Sequence, residues 1–514
     1  MSRYVSCIPI VGLCFLLTAC GGGMGNRGAM APEASVAINA DKAQVEAYGT
    51  IVENPFQSPA VAPLSTFSAD VNTASYSNIR RFITQGKLPP RDAVFLAEMV
   101  NYFPYRYPEP AGDAPASLTL DLAPCPWKPG HKLARIGVKA RTLAPDEIPR
   151  RNLVFLIDVS GSMSGETRLP LVKKSIGLLV ERLTAEDSVS IVTYAGDAGL
   201  KLPPTPGNQR GRILEAVRSL NAGGSTNGSG GIKLAYETAR RSFIDGGANR
   251  IILCTDGDFN VGQTSDSEMV QLVEKERASR VFLTVLGYGM GNLKNSKLEE
   301  LANHGNGHYA YIDNIEEARK VFVEQGGALV CVAKDVKFQV EFNPAKVNAY
   351  RLIGYENRIL RAEDFKNDAK DAGDMGSGHT VTALYEIVPA GVKIDLPGVD
   401  PLKYSAPKQA VNATDEWLTV KMRYKHPDGD TSKELAAVLP ANSEKPMNED
   451  FRFAAAVAEF GLVLRDSPYK GNADFVEAQS RAESAAKYDP NGHRAEFIDM
   501  VRAATGLKER GERE

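Results

Sequence analysis

The stretch Val154-Phe155-Leu156-Ile157-Asp158-Val159-Ser160-Gly161-Ser162-Met163-Ser164 decides the fold. Its first four residues are apolar without alternation, the pattern of a strand buried on both faces. The run then turns polar, with Asp158, Ser160 and Ser162 at alternate positions. Alternate residues of an extended turn point the same way, so one carboxylate and two hydroxyls converge. All three are hard oxygen donors, a set that suits Mg2+, Ca2+ or Mn2+ rather than zinc.

The same pattern repeats along the chain. Short apolar runs at 153–157, 188–194, 251–254, 281–286 and 308–312 read as strands. Leu169, Val172, Ile176, Leu179 and Leu183 follow at helical spacing, and 209–220, 230–243, 266–277, 296–303 and 315–324 read as further helices. Buried runs joined by helices predict an α/β domain over 151–330, doubly wound around a mostly parallel sheet. Ligands in such sheets bind at the carboxyl ends of the strands, beside a switch in strand order.

Two further loops bear on the triplet. Gly223-Gly224-Ser225-Thr226-Asn227-Gly228 precedes a helix and offers Thr226. Ile251-Ile252-Leu253-Cys254-Thr255-Asp256-Gly257-Asp258 is a second buried run ending in acid, and offers Asp256. The plainer reading makes Ser160 and Ser162 turn and N-cap residues and Asp256-Gly257 an ordinary turn. Three oxygen-bearing loops at one sheet edge weigh against it. Asp258 reads better as a solvated turn residue than as an outer acid.

Taken in order, these three pieces resemble the von Willebrand factor type A domain, a Rossmann-like fold, and its metal-ion-dependent adhesion site. The resemblance implies that Ser160, Ser162 and Thr226 ligate a divalent cation directly. It implies that Asp158 and Asp256 act mainly through coordinated water. Mg2+ is the first expectation, with Mn2+ and Ca2+ as alternatives. One coordination position is left for an acidic residue of a partner protein. Pro63-Leu64-Ser65-Thr66-Phe67-Ser68-Ala69-Asp70-Val71-Asn72-Thr73-Ala74-Ser75-Tyr76 and Asn101-Tyr102-Phe103-Pro104 resemble the N-terminal region of a group of bacterial type A lipoproteins. The C-terminal part resembles the uncharacterised domain that follows in that group.

The flanks are of different character. Residues 64–150 read as helices and then strands, with Asp92 as N-cap of a helix through Tyr102. Residues 331–514 read as a β-rich part followed by helices, with Phe453, Val457, Phe460 and Leu464 on one face. Strands on both sides alternate alike, which predicts one β domain with the type A domain inserted in it.

At the N-terminus, 4–20 is an apolar stretch too short to span a bilayer, and 1–19 reads as a signal peptide. Leu17-Thr18-Ala19-Cys20 resembles a lipobox, which implies cleavage before Cys20 and a lipid on it. Residues 20–63 are rich in Gly, Ala and Pro and read as a flexible tether. The expectation is a lipid-anchored envelope protein facing other envelope proteins. Gly21 after Cys20 resembles outer-membrane sorting, if the cell has two membranes.

The chain has 514 residues, enough for several domains, and is 43% hydrophobic and 24% charged, as ordinary globular proteins are. Net charge is −3 with no basic stripe, which points away from nucleic acid. Cys125, Cys254 and Cys331 make no disulfide framework, and Cys254 reads as a core residue. None of the six histidines sits in a hydrolase or HExxH setting. His304 and His308 are split by glycines and read as loop and strand residues, while Trp127 and Trp417 read as packing residues. No nucleophile–base pair or phosphate loop is present, so the expected role is binding and not catalysis. The alternative is an envelope scaffold whose type A domain binds no metal.

Overall fold

The computed structural model describes residues 48–69, 72–225, 228–257, 266–289, 295–370, 372–396, 414–427 and 429–511. The expected signal peptide, Cys20, most of the expected tether, Thr226 and Asp258 lie outside the described residues.

The central sheet has six strands, in the order Ala198–Pro206, Ser188–Tyr194, Arg151–Asp158, Ala248–Thr255, Phe282–Tyr288, Tyr309–Ile312. Neighbours are parallel, except that Ala198–Pro206 runs antiparallel on one edge. That strand carries Pro203, Pro204 and Pro206, which lack the amide an inner strand needs, so only an edge can hold it.

Alternation divides the buried strand between two cores. Leu153, Phe155 and Ile157 face the helices Leu169–Val180 and Arg210–Arg218 through Val172, Ile176, Ile213 and Val217. Val154 and Leu156 face Gly228–Arg241 and Asp266–Arg277 through Ile232, Ala235, Met269 and Val273. Both layers are apolar, which is why the run shows no polar alternation. The expected doubly wound fold is therefore present, with an antiparallel edge that periodicity did not resolve.

The flanks come together. Lys132–Ala140 pairs with Thr380–Pro389, Ile136 opposite Ala383, in a four-stranded antiparallel sheet with Ala116–Pro124 and Val347–Ile353. Leu64–Ser68 pairs with Cys331–Phe342, which also pairs with Glu416–Lys425 in a second sheet. Phe67, Phe338, Tyr350 and Tyr385 fill the core between the sheets, and the rings of Phe342 and Tyr350 stack at 3.9 Å. The type A domain leaves and re-enters this sandwich as an insertion. The strand Leu64–Ser68 has no clear alternation in sequence; its place comes from its partner.

Helices form a fourth core. Glu449–Arg465 packs with Leu96–Asn101 and Phe475–Glu483 and, through Phe453 and Phe460, against Phe497 of His493–Arg510; Ala74–Thr84 lies in the same core. It is buried almost all round, with Asn448 capping it by accepting from the Phe451 amide at 2.9 Å. The long helix expected after Asp92 is instead a short 3-10 turn, Arg91–Ala93, followed by Leu96–Asn101. Asp92 does not cap it; its Oδ1 accepts the Ile51 amide at 3.0 Å. Non-helical backbone at Val94 and extended backbone at Phe95 separate the two pieces.

Cys125, Cys254 and Cys331 are free thiols, and Cys254 is fully buried. Trp127 is buried and donates to Glu386, and Trp417 donates to the Ala441 carbonyl. His304 pairs with Glu274 at 2.8 Å. Among the described residues no helix is long and apolar enough to cross a membrane.

Candidate metal centre

The strand order explains why the acids meet. From Arg151–Asp158 the chain moves to Ser188–Tyr194 on one side, then returns to Ala248–Thr255 on the other. The switch in direction lies between these last two partners of the first strand. Ile157 pairs with Cys254, so Asp158 and Asp256 leave adjacent parallel strands at their carboxyl ends. This is the crevice where open α/β sheets bind ligands.

Asp158, Ser160 and Asp256 are all buried, and Ser162 is half-buried. The Ser160 amide donates to Asp158 Oδ1 at 2.8 Å, which closes the turn. The Ser160 and Ser162 hydroxyls lie 3.0 Å apart, so both point into one space. The third loop is tied in through its backbone. Gly161 donates to the Gly224 carbonyl at 3.0 Å, and Gly223 donates to the Val159 carbonyl at 2.8 Å. The four described site residues thus share one crevice, and the loop that leads to Thr226 is bonded to the triplet.

Electrostatics at the crevice are strained. Burial pushes the Asp158 carboxyl up to about 6, hydrogen bonds from Ser160 and Tyr194 oppose this, and the nearby charge of Asp256 adds to it. Asp158 Oδ2 is buried and makes no hydrogen bond of normal geometry among the described residues. Two buried acids beside two hydroxyls form a hard-oxygen set that a divalent cation satisfies. The residues present fit that group.

Sequence reasoning missed one residue at this site. Arg168 Nη1 lies 3.6 Å from Asp256 Oδ2 and donates to the Ser162 carbonyl. Arg168 is also the N-cap residue of the helix Leu169–Val180, with no side-chain cap. A cation there opposes the helix dipole. That misplaced charge is the signal that could have singled it out.

Comparison with known proteins follows the same division. The family described as "von Willebrand factor type A domain" matches residues 152–324, and the one described as "von Willebrand factor" matches 42–135. "Uncharacterized protein YfbK, C-terminal" matches 327–507. The chain is 44% identical over 470 residues to Uncharacterized protein YfbK of Escherichia coli K12, across 90% of this chain and 81% of that one. The chain belongs to the YfbK family of type A domain proteins. It is also 28% identical over 200 residues to the human inter-alpha-trypsin inhibitor heavy chain H3, a match that spans 36% of this chain and 22% of that protein. Among solved structures, a von Willebrand factor type A protein from Catenulispora acidiphila aligns with 75% of this chain and 89% of its own, at 14% identity and a TM-score of 0.41. A type A domain of this YfbK-family chain is a module commonly used for protein–protein interaction.

Proposed function

We propose that this YfbK-family protein is a lipid-anchored envelope protein that binds an acidic protein partner through a divalent cation, Mg2+ first. Asp158, Ser160, Ser162, Thr226 and Asp256 would hold the ion, and Cys20 would carry the lipid. The meeting of two buried acids, Asp158 and Asp256, with the paired Ser160 and Ser162 hydroxyls supports this reading.

When bound, the ion supplies a Lewis-acidic position for a carboxylate of the partner. The chain's own residues set up that position. Ser160 holds Asp158 in place through its amide, and the paired hydroxyls give neutral donors. Two acids balance a divalent charge without exceeding it, so an incoming carboxylate meets no surplus negative charge from the site. On this reading the crevice serves binding rather than catalysis.

Calorimetry of the full chain with Mg2+ and Mn2+ tests the metal, with Asp158→Ala as the control. Equal binding by the two proteins sinks the assignment. A metal-dependent pull-down from envelope extract, lost in Asp158→Ala, tests the partner. Labelling with a radioactive fatty acid, lost in Cys20→Ser, tests the anchor. A scaffold role is the second reading, supported by the insertion of the type A domain into the sandwich. It predicts a phenotype on deleting the domain and none from Asp158→Ala.

A further inference from the structure

The metal-centre residues are not the whole of the crevice. Arg168 reaches across three carboxyl-end loops. Its guanidinium bonds the Ser162 carbonyl in the first loop and pairs with Asp256 in the second. Its stem lies over Gly289, at the end of Phe282–Tyr288, so closely that a Cβ there would clash with Nε. Gly289 has φ +80, and its carbonyl accepts from the Tyr311 hydroxyl. The Asp256 side chain is fully buried, whereas Arg168 keeps a fifth of its side chain exposed. The arginine therefore enters the crevice from its solvent side and ends on its acid.

We propose that Arg168 is the resident counter-cation of the acid pair. Without metal it supplies positive charge to Asp256 and pins the Ser162 backbone, so the crevice keeps its shape. With metal its charge stays nearby and repels the ion. It thus weakens metal binding and gives the loaded crevice a net positive charge toward an anionic partner. A divalent ion and Arg168 carry three positive charges against the two acids. The first half stands on the contacts alone; the second rests on the metal-binding reading above.

The test uses the full chain and two readouts. The first is a double-mutant cycle in chelator, with Arg168→Gln and Asp256→Asn, followed by urea unfolding. Arg168→Gln should lower stability in the native background and much less in the Asp256→Asn background. Additive effects overturn the proposal. The second is Mn2+ titration of the native chain, Arg168→Gln and Arg168→Lys. Removing one positive charge close to a divalent ion should tighten Mn2+ binding by about tenfold. Arg168→Lys keeps the charge and should bind Mn2+ as the native chain does, which separates charge from packing. Equal or weaker Mn2+ binding by Arg168→Gln, in a native chain that binds Mn2+, overturns the proposal. If the native chain binds no Mn2+, the metal reading falls, and the cycle in chelator alone decides the role of Arg168.

Discussion

Arg80 and Glu317 meet at 2.8 Å with almost no exposure of either side chain, and they join the type A domain to the helical part of the chain. Arg80 stands on Ala74–Thr84 and Glu317 on Ile315–Arg319, the short helix that ends the type A domain. The same guanidinium reaches Asp313, the Tyr102 hydroxyl at 3.1 Å and Glu496 at 2.8 Å. The Tyr76 and Tyr102 rings stack beside it at 3.7 Å. One arginine thus answers acids from two parts of the molecule.

Replacing Arg80 leaves Glu317 and Asp313 buried without the guanidinium that bonds both. Arg80→Met should cost about 3 to 5 kcal/mol in urea unfolding, the range for breaking a buried pair on one side. A loss below about 1 kcal/mol would show that the network is not a structural joint.

Lys320 adds a pH dependence. Its amine is buried on the face of the Tyr102 ring, 2.7 Å from the centroid, and makes no hydrogen bond among the described residues. Burial pulls its pKa down to about 7; Glu317, Glu324 and Glu496 oppose the shift and Arg80 adds to it. The unfolded lysine titrates near about 10.4. Between these values the unfolded chain holds the extra proton, so stability rises with pH. Urea midpoints measured from pH 7 to pH 9 should climb in the native chain. They should climb less in Lys320→Met, and parallel profiles would refute the assignment.

Asp158→Asn separates the two states of the metal centre. It removes a buried negative charge beside Asp256, so in chelator the variant should melt at or above the native temperature. Adding Mg2+ should raise the melting temperature of the native chain and leave that of Asp158→Asn unchanged. Equal rises would mean that the ion stabilises the chain elsewhere.

Gly289→Ala probes Arg168 from the opposite side. A left-handed backbone costs a residue with a Cβ roughly 1 to 2 kcal/mol, and here the Cβ also meets the Arg168 stem. Thermal melting should show that loss. Mn2+ binding should move in the same direction as in Arg168→Gln, because the guanidinium is displaced from Asp256. An unchanged Mn2+ affinity would show that the stem yields without moving the charge.

Several elements could be read from local pattern because their surroundings are uniform. The strand Arg151–Asp158 has helices on both faces, so every residue from Leu153 to Ile157 is apolar. Ala198–Pro206 and Leu64–Ser68 could not be read so, because an edge strand full of proline and a short strand lacking alternation take their form from a neighbour. Asp92 looked like a cap because caps and tertiary acceptors use the same side chains. Only the position of the Ile51 amide separates the two.

By itself the sequence determined the alternation of buried strands and helices and the oxygen chemistry of Asp158, Ser160 and Ser162. These are properties of short segments, where side-chain spacing and backbone geometry act directly. The tertiary structure decided which segments meet. The switch in strand order sets Asp256 beside Asp158, 98 residues earlier in the chain. Pairing across the insertion joins Ile136 to Ala383. Folding also buries Asp158 and lays Arg168 over Gly289 onto Asp256, and so gives the crevice its charge. Coulomb forces and desolvation depend on distance in space, and no spacing along the chain encodes that.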